Sequence, residues 1–176
     1  AVAHNADDQI ETVLFRIFRG CGTHGLCGIP AVRDNIIRPL IDLSSEEIRT
    51  TLSAHGIGFV TDSTNLDDGY MRNRIRLQLL PFLHNFFSDY RESILRLSRN
   101  VKYDDACLAA EAARVTEKVR ADGTLPLSEV RELPRALLVR VLHRMASRFT
   151  SDLPEECHVR MTEQALRSGE PFSVDL

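Results

Sequence analysis

The chain has 176 residues, of which 43% are hydrophobic and 27% are charged, which suits one large or two small folded domains. This composition excludes wholesale disorder, and no apolar run approaches the roughly 18 residues that a membrane helix needs. The net charge of −3 argues against indiscriminate binding of polyanions. Of the 22 basic residues, 20 are arginines, which bind phosphate well, although codon composition explains that bias equally well. Four cysteines and no signal-peptide pattern favour a reducing, cytoplasmic location without a membrane partner.

Hydrophobic periodicity predicts a largely helical chain with a few short strands. The clearest helix begins at the acidic turn of Asp7 and Asp8, carries one apolar stripe, and ends at Gly20. The spacing of Ser44 and Glu47 is that of a capping box, so the next helix should begin at Ser45. In chain order after the first helix we predict a loop over 20–31, a strand over 35–41, a helix over 45–55, a strand over 58–61, a helical segment over 70–83 with a break or kink at Pro81, long helices over 86–99 and 102–121, a turn at 122–123, and short helices over 128–132, 134–149 and 155–168.

The composition and the hydrophobic periodicity of the sequence change near residue 80. Before it, glycine, proline, asparagine and aspartate punctuate short segments, and after it long helical periods dominate. We therefore expect residues 1–85 to be part of an α/β domain and residues 86–176 to form an all-α domain. The chain is mostly helical overall, and we expect it to be an excerpt of a longer protein.

The most informative stretch is His4–Thr12, in which a histidine and two adjacent aspartates lie where a strand runs into a helix. In open α/β sheets, ligands bind beyond the carboxyl ends of the strands. Two carboxylates there repel a phosphate unless a cation intervenes, so the implied chemistry is Mg²⁺ with a nucleotide. The alternative is that Asp7 and Asp8 only begin the helix, without a ligand.

A glycine-rich loop follows, with glycines at 20, 22, 25 and 28 directly after Arg19. Glycines let backbone N–H groups approach an anion or a base closely. Cys21, His24 and Cys27 have the spacing of three zinc ligands, but a fourth ligand is not obvious, and we expect no structural metal there.

Two further features are basic. Asp62–Asp67 precedes Arg72, Asn73 and Arg76, in which the arginines are four residues apart on one helical face. That face either grips a phosphate or forms a salt-bridge network with the acidic segment before it. Further along, three arginines recur at intervals of four and either track a nucleic-acid backbone or form a solvated face: Arg140, Arg144 and Arg148.

Together, and in this order, these motifs resemble those of the tRNA(Ile)-lysidine synthetase family. The match is dense over residues 1–85 and weaker beyond, and it rests on His4–Thr12, Arg19–Gly28, Arg38–Leu40, Asp62–Asp67 and Arg72–Arg76. There are two departures from the family pattern: Asn5 replaces a frequent second histidine, and Thr64 lengthens the Asp-Ser-Asn spacing by one residue.

The resemblance implies a fold and an activity. Residues 1–85 would be the second half of a Rossmann-like adenine-nucleotide-hydrolase domain of the ATP-pyrophosphatase type, and residues 86–176 a helical domain that contacts tRNA. The family adenylates the C2 oxygen of the wobble cytidine in an isoleucine tRNA with a CAU anticodon, and free L-lysine then displaces AMP. The enzyme would require ATP and Mg²⁺. Whether it forms a homodimer is left open. The family's phosphate loop lies upstream of Ala1, so we expect this chain alone to be inactive.

The resemblance also implies residue roles. His4, Asp7 and Asp8 would lie at the nucleotide, with Asp8 contacting ATP and Mg²⁺ or orienting the attacking amine. Asp8 and Arg76 would be catalytic, and we expect removal of Arg76 to reduce turnover with little effect on folding. Arg76 and the other carried-over positions would also contact the substrate tRNA: Arg19, Gly20, Gly22, Gly25, Arg72 and Asn73. The spacing of Arg140, Arg144 and Arg148 adds a predicted contact with the tRNA backbone, with a solvated face as the alternative.

Two alternatives stay open. The first is another adenylating enzyme of the same superfamily that thiolates tRNA, for which Cys21 and Cys27 are the only candidate cysteine pair. The second is a non-catalytic helical module that binds tRNA. Mass spectrometry of the modified tRNA would separate the two enzymes, and tRNA binding without ATP turnover would favour the module.

Overall fold

The computed structural model describes residues 1–60, 71–150 and 154–169. The described elements, in chain order, are α1 (Ala6–Arg19), α2 (Thr23–Leu26), β1 (Val32–Arg33), β2 (Ile36–Ile37), α3 (Ser45–Ala54), α4 (Met71–Arg74), a π-helical turn (Ile75–Leu79), α5 (Leu80–Phe86), α6 (Tyr90–Thr116), a 3₁₀ turn (Leu127–Glu129), α7 (Arg135–Ala146) and α8 (Glu156–Ser168). The chain divides into two compact units, Ala1–Asp105 and Ala106–Leu176. The predicted functional boundary near residue 85 stays a prediction.

The first helix, α1, forms as the sequence predicts. The side chain of Asn5 accepts hydrogen bonds from the N–H groups of Asp7 and Asp8, and Gly20 ends the helix at a φ of 76°. The predicted apolar stripe is buried at Ile10, Val13 and Leu14. It is exposed at its last two positions, Ile17 and Phe18. Ile10 and Leu14 therefore anchor the core of the first unit, together with Ile75, Leu80 and Tyr90.

The described strands are shorter than the sequence predicts. β1 and β2 form one antiparallel hairpin with Val32 opposite Ile37, and Asp34 in its turn has a φ of 52°. The predicted strand over 35–41 is thus confirmed only at residues 36–37, near its start. The predicted strand over 58–61 is wrong for residues 58–60, which have no regular structure, while residue 61 lies outside the described residues.

The segment around Pro81 is a continuous helical run. Pro81 has no N–H group to donate within a helix, and the π-helical turn directly before it absorbs that interruption, with the Leu80 N–H bonded to Ile75 O. The predicted break at Pro81 is therefore a local widening of the helix, which continues to Phe86. This geometry carries Arg72 and Arg76 on the part of the run that faces α1.

The two long helices predicted over 86–99 and 102–121 are one helix, α6, of 27 residues. The sequence around Asn100 offers neither glycine nor proline, so nothing stops the helix there. In the second unit, α7 and α8 lie within the predicted spans, and the segment predicted as a helix over 128–132 is the 3₁₀ turn. No helix in the part of the chain that the structure describes is long and apolar enough to cross a membrane.

Candidate functional site

The start of α1 places two carboxylates at one edge of the first unit. Asp8 Oδ2 accepts the Asn5 backbone N–H at 2.9 Å, while Asn5 Oδ1 accepts from Asp7 N at 2.9 Å and Asp8 N at 3.1 Å. This reciprocal capping box fixes the first turn of α1. Asn5, which departs from the family pattern, is therefore the residue that caps the helix carrying Asp7 and Asp8.

A fully buried carboxylate, Glu11, organises the predicted arginine face. Arg72 Nε donates to Glu11 Oε2 at 3.0 Å, and Arg76 donates through Nε to Oε1 at 2.6 Å and through Nη2 to Oε2 at 3.0 Å. Arg72 Nη2 also contacts Asp8 Oδ1 at 3.1 Å, and Arg76 Nη2 lies 3.7 Å from the same oxygen. The structure thus brings together Asp8, Arg72 and Arg76, three predicted site residues from two helices.

These contacts reinforce the positive charge of Arg76. Its pKa is raised above the ordinary value, chiefly because Glu11 accepts its hydrogen bonds. Burial opposes this rise, and the negative charges of Glu11 and Asp8 add to it. Arg76 is therefore a fixed cation, held in place by Glu11.

Glu11 is the site residue that sequence reasoning missed: it lies within His4–Thr12, but no role was predicted for it. A signal was present: it lies beside Ile10 and one turn from Leu14, on the buried side of α1. A glutamate on such a face is almost never buried without a positive partner. The two arginines four residues apart were the candidates for that partner.

Asp7 joins α1 to two other helices. It forms an ion pair with Arg91, in the first turn of α6, and its Oδ2 accepts the Ser45 N–H at 3.1 Å as well as the Ser45 hydroxyl. Burial lowers the pKa of Arg91. Asp7 thus links α1, α3 and α6, and its expected place at the nucleotide stays a prediction.

These side chains line a cavity of about 760 Å³ in the first unit. Its charged lining carries both signs, from Asp7, Asp8, Glu11, Glu46, Arg49, Arg76 and Arg91. Such a lining is complementary to a ligand that carries both charges, and less so to an unaccompanied triphosphate. A second cavity, of about 670 Å³, is lined mainly by apolar side chains such as Phe18 and Phe82, and among the described residues that line it the charged ones are arginines.

The described carboxylates do not fit a Mg²⁺ site as they stand. Both oxygens of Glu11 and both oxygens of Asp8 accept hydrogen bonds from N–H groups. Among the residues that the structure describes, no group of three or more histidine, cysteine, aspartate or glutamate side chains could hold a metal ion. The expected contact between Asp8 and Mg²⁺ stays a prediction, and no step below depends on it.

The other predicted residues of the first unit lie in separate surroundings. His4 Nδ1 accepts a hydrogen bond from Arg38 Nε at 3.2 Å. The guanidinium of Arg19 stacks over the Phe15 ring, 4.8 Å from its centroid. Asn73 is half-buried between Arg72 and Arg74 on α4. The acidic segment Asp62–Asp67 lies outside the described residues, so its predicted pairing with the arginines is untested; both arginines pair with α1.

The glycine-rich loop contains the short helix α2. Gly20, Gly22 and Gly25 are placed in it or beside it, and Gly28 has a φ of 68°. Two of its side chains contact Asp105 of α6: the Thr23 hydroxyl at 3.3 Å and His24 Nδ1 at 3.0 Å.

The predicted arginine stripe lies on α7 in the second unit. Arg144 Nε donates to the Thr116 hydroxyl at 3.3 Å, and Arg148 Nη2 reaches the Thr116 carbonyl at 3.4 Å. Thr116 is the last residue of α6, so both cations lie where a helix favours positive charge. Arg140 Nη1 bonds to Ala136 O, at 2.9 Å. The stripe thus has a structural use, and its contact with tRNA stays a prediction.

Comparison with known proteins gives a consistent result. Residues 1–83 match the model of the PP-loop domain family. The tRNA(Ile)-lysidine synthase of Clostridioides difficile is 40% identical over 159 residues, covering 86% of this chain and 34% of that protein. Its counterpart in Borreliella burgdorferi is 38% identical over 145 residues, covering 82% of this chain and 33% of that protein. The resemblance to the tRNA(Ile)-lysidine synthase family is confirmed.

The comparison also bears on fold and extent. The PP-loop match supports an α/β adenine-nucleotide-hydrolase fold for residues 1–83. The all-α domain predicted over 86–176 is helical in its described part, but the matched model does not extend to it. The chain spans about a third of the length of the curated relatives that it matches.

Proposed function

We propose that the protein to which this chain belongs is a cytoplasmic tRNA(Ile)-lysidine synthase, a ligase that forms a carbon–nitrogen bond. The supporting observation is the cluster in which buried Glu11, with Asp8, holds Arg72 and Arg76 beside a cavity that Asp8, Glu11 and Arg76 line, in a chain that resembles these enzymes. Its substrates would be ATP, L-lysine and an isoleucine tRNA with a CAU anticodon.

The proposed reaction has two steps. The C2 oxygen of the wobble cytidine attacks the α-phosphorus of ATP, forming a P–O bond as pyrophosphate leaves. An amine of L-lysine then attacks C2. A C–N bond forms, the C–O bond breaks, AMP departs with the electron pair, and the amine loses its proton to the surroundings. Adenylation is needed because the free C2 oxygen is a poor leaving group.

The residues of the cavity would act on lysine and on the activated base. Asp8 orients the attacking amine, since a carboxylate at the cavity edge attracts an ammonium group. Arg76, fixed by Glu11, faces the phosphate of the adenylate with Arg72 beside it, because guanidinium groups bind phosphate in defined geometry. Arg19 and the glycine loop shape the pocket of the unstacked cytidine.

The test uses the full-length protein with ATP, L-lysine and the tRNA, followed by mass spectrometry of the nucleosides. We expect lysidine from the unmodified protein and at least 10-fold less from Asp8→Asn, because a charge-assisted contact contributes about 1.5–3 kcal/mol. Asp104→Asn, an exposed aspartate of α6, is the matched control and should keep its activity.

Other outcomes would contradict the proposal. A thiolated nucleoside in place of lysidine would identify a thiolating enzyme. Binding of the tRNA without any ATP consumption would identify a binding module. Equal activity of Asp8→Asn and Asp104→Asn would remove Asp8 from the reaction.

A further inference from the structure

Gln9 is a buried polar residue that neither the motifs nor the cavity explains. Its side chain is 4% exposed and lies between α1 and the end of the glycine-rich loop. Gln9 Nε2 donates to the Ile29 carbonyl at 2.6 Å, and Gln9 Oε1 accepts the Ile29 N–H at 2.7 Å. One side chain thus satisfies both backbone groups of one loop residue, as a neighbouring strand would.

The loop passes Gln9 so closely that it has no room for a side chain. A Cβ on Gly28 would lie 2.1 Å from Gln9 Oε1, well inside contact distance. Gly28 also has a φ of 68°, a conformation that other residues rarely adopt. Glycine at 28 and glutamine at 9 therefore form a matched pair.

Arg16 holds the same loop from a position two turns further along α1. Its Nη1 donates to Gly25 O at 2.9 Å and to Gly28 O at 3.0 Å. These carbonyls belong to the last turn of α2 and to the residues after it, where cationic donors are favoured. Because Gln9 and Arg16 are seven residues apart, they lie on one face of α1.

The same helix carries Asp8 and Glu11, on the side that meets α4. We propose that Gln9 and Arg16 are positioning residues, which hold the loop over 20–29 at a fixed place relative to Asp8 and Glu11. The inference rests on the proposed function, in which the loop shapes the pocket for the unstacked cytidine. If the loop moves away from this position, the protein binds tRNA less tightly, while the lysine site is unchanged.

The experiment measures steady-state kinetics of the full-length protein carrying Gln9→Met, which keeps the length of the side chain and removes both hydrogen bonds. We expect KM for the tRNA to rise about 10-fold, while kcat and KM for lysine change less than about twofold. Gln164→Met, the same substitution at an exposed position of α8, is the control. Arg16→Met should raise KM for tRNA likewise, and Arg16→Lys, which keeps a donor, should restore it in part.

Hydrogen exchange at the Ile29 amide provides a readout independent of activity. We expect exchange to be faster in Gln9→Met than in Gln164→Met, and unchanged exchange would overturn the positioning role. A loss of kcat with all KM values unchanged would mean that Gln9 only stabilises the fold. If the unmodified protein makes no lysidine, the proposed function fails, and the exchange rates still decide whether Gln9 and Arg16 hold the loop. Arg16→Met replaces Gln9→Met if the latter does not fold.

Discussion

Glu11 shows how one buried charge links stability and site geometry. It is fully buried and accepts from both Arg72 and Arg76, so the burial cost of its charge is offset by two guanidinium groups. The sequence-based expectation that folding tolerates loss of Arg76 does not agree with these contacts. Removing Arg76 leaves Glu11 with one cation, and the effect on activity then includes an effect on stability.

We predict strong coupling between Glu11 and Arg76. In a double-mutant cycle of Glu11→Gln and Arg76→Met, measured by urea unfolding, each single change should lower the free energy of unfolding. Their coupling should be about 1–3 kcal/mol, because the substitutions remove one buried pair. The exposed pair Glu111 and Arg114 is the control, with coupling below about 0.5 kcal/mol. Equal coupling for the two pairs would mean that burial of Glu11 adds nothing.

At the scale of elements, the local signals in the sequence were sufficient for α3. The spacing of Ser44 and Glu47 predicts a capping box, and the structure confirms it: Ser44 N and Oγ both donate to Glu47 Oε2, at 2.7 Å. These hydrogen bonds lower the pKa of Glu47 below its ordinary value, the backbone bond being the larger cause. Such a motif involves four consecutive residues, so no tertiary contact is needed to define it.

The lowered pKa of Glu47 predicts a dependence on pH. A carboxylate with a depressed pKa in the folded state stabilises α3 at any pH above its ordinary value of 4.5. That stabilisation is lost as the pH falls through the lowered pKa. Titration of the α3 amide signals by NMR below pH 4.5 should show fraying of its first turn. Glu47→Gln should remove this dependence, whereas Glu46→Gln, which leaves the capping box intact, should keep it.

The errors at this scale have a common cause. Proline at 81 suggests a break, but the π-helical turn before it lets the helix continue, and the polar residues near Asn100 suggest an end although neither glycine nor proline stops α6 there. Only β2 of the hairpin falls within the predicted strand over 35–41, and β1 was not predicted, because the run of hydrophobic residues after Asn35 does not reveal where the pairing begins or stops.

At the scale of the whole molecule, the arginines bond to different kinds of partner in the two units. In the first unit, Arg72 and Arg76 pair with acids of α1, and in the second unit Arg144 and Arg148 bond to the end of α6. A guanidinium has five N–H donors, so a residue engaged in this way still has donors for a phosphate. The same arginines of the stripe on α7 therefore have a structural role at the end of α6 and a predicted role in binding RNA.

The salt dependence of tRNA binding separates these two uses. For the full-length protein, we predict that Arg148→Gln lowers the slope of log Kd against log salt by about 1, because one phosphate contact is lost. Arg114→Gln, on the exposed face of α6 in the same unit, should leave the slope unchanged. A less stable second unit with an unchanged slope would mean that Arg148 only caps α6.

The sequence by itself determined the family, most helices, the capping box of α3 and the identity of the arginine face, because each depends on residues close together or on motifs of fixed order. Only the tertiary structure decided what these residues touch. Glu11 became the partner of Arg72 and Arg76 across more than 60 positions, and Gln9 the partner of Ile29 across 20. Such pairings depend on which faces of α1 meet α4 and the glycine loop, and that choice follows from burying Ile10 and Leu14 rather than from any local pattern.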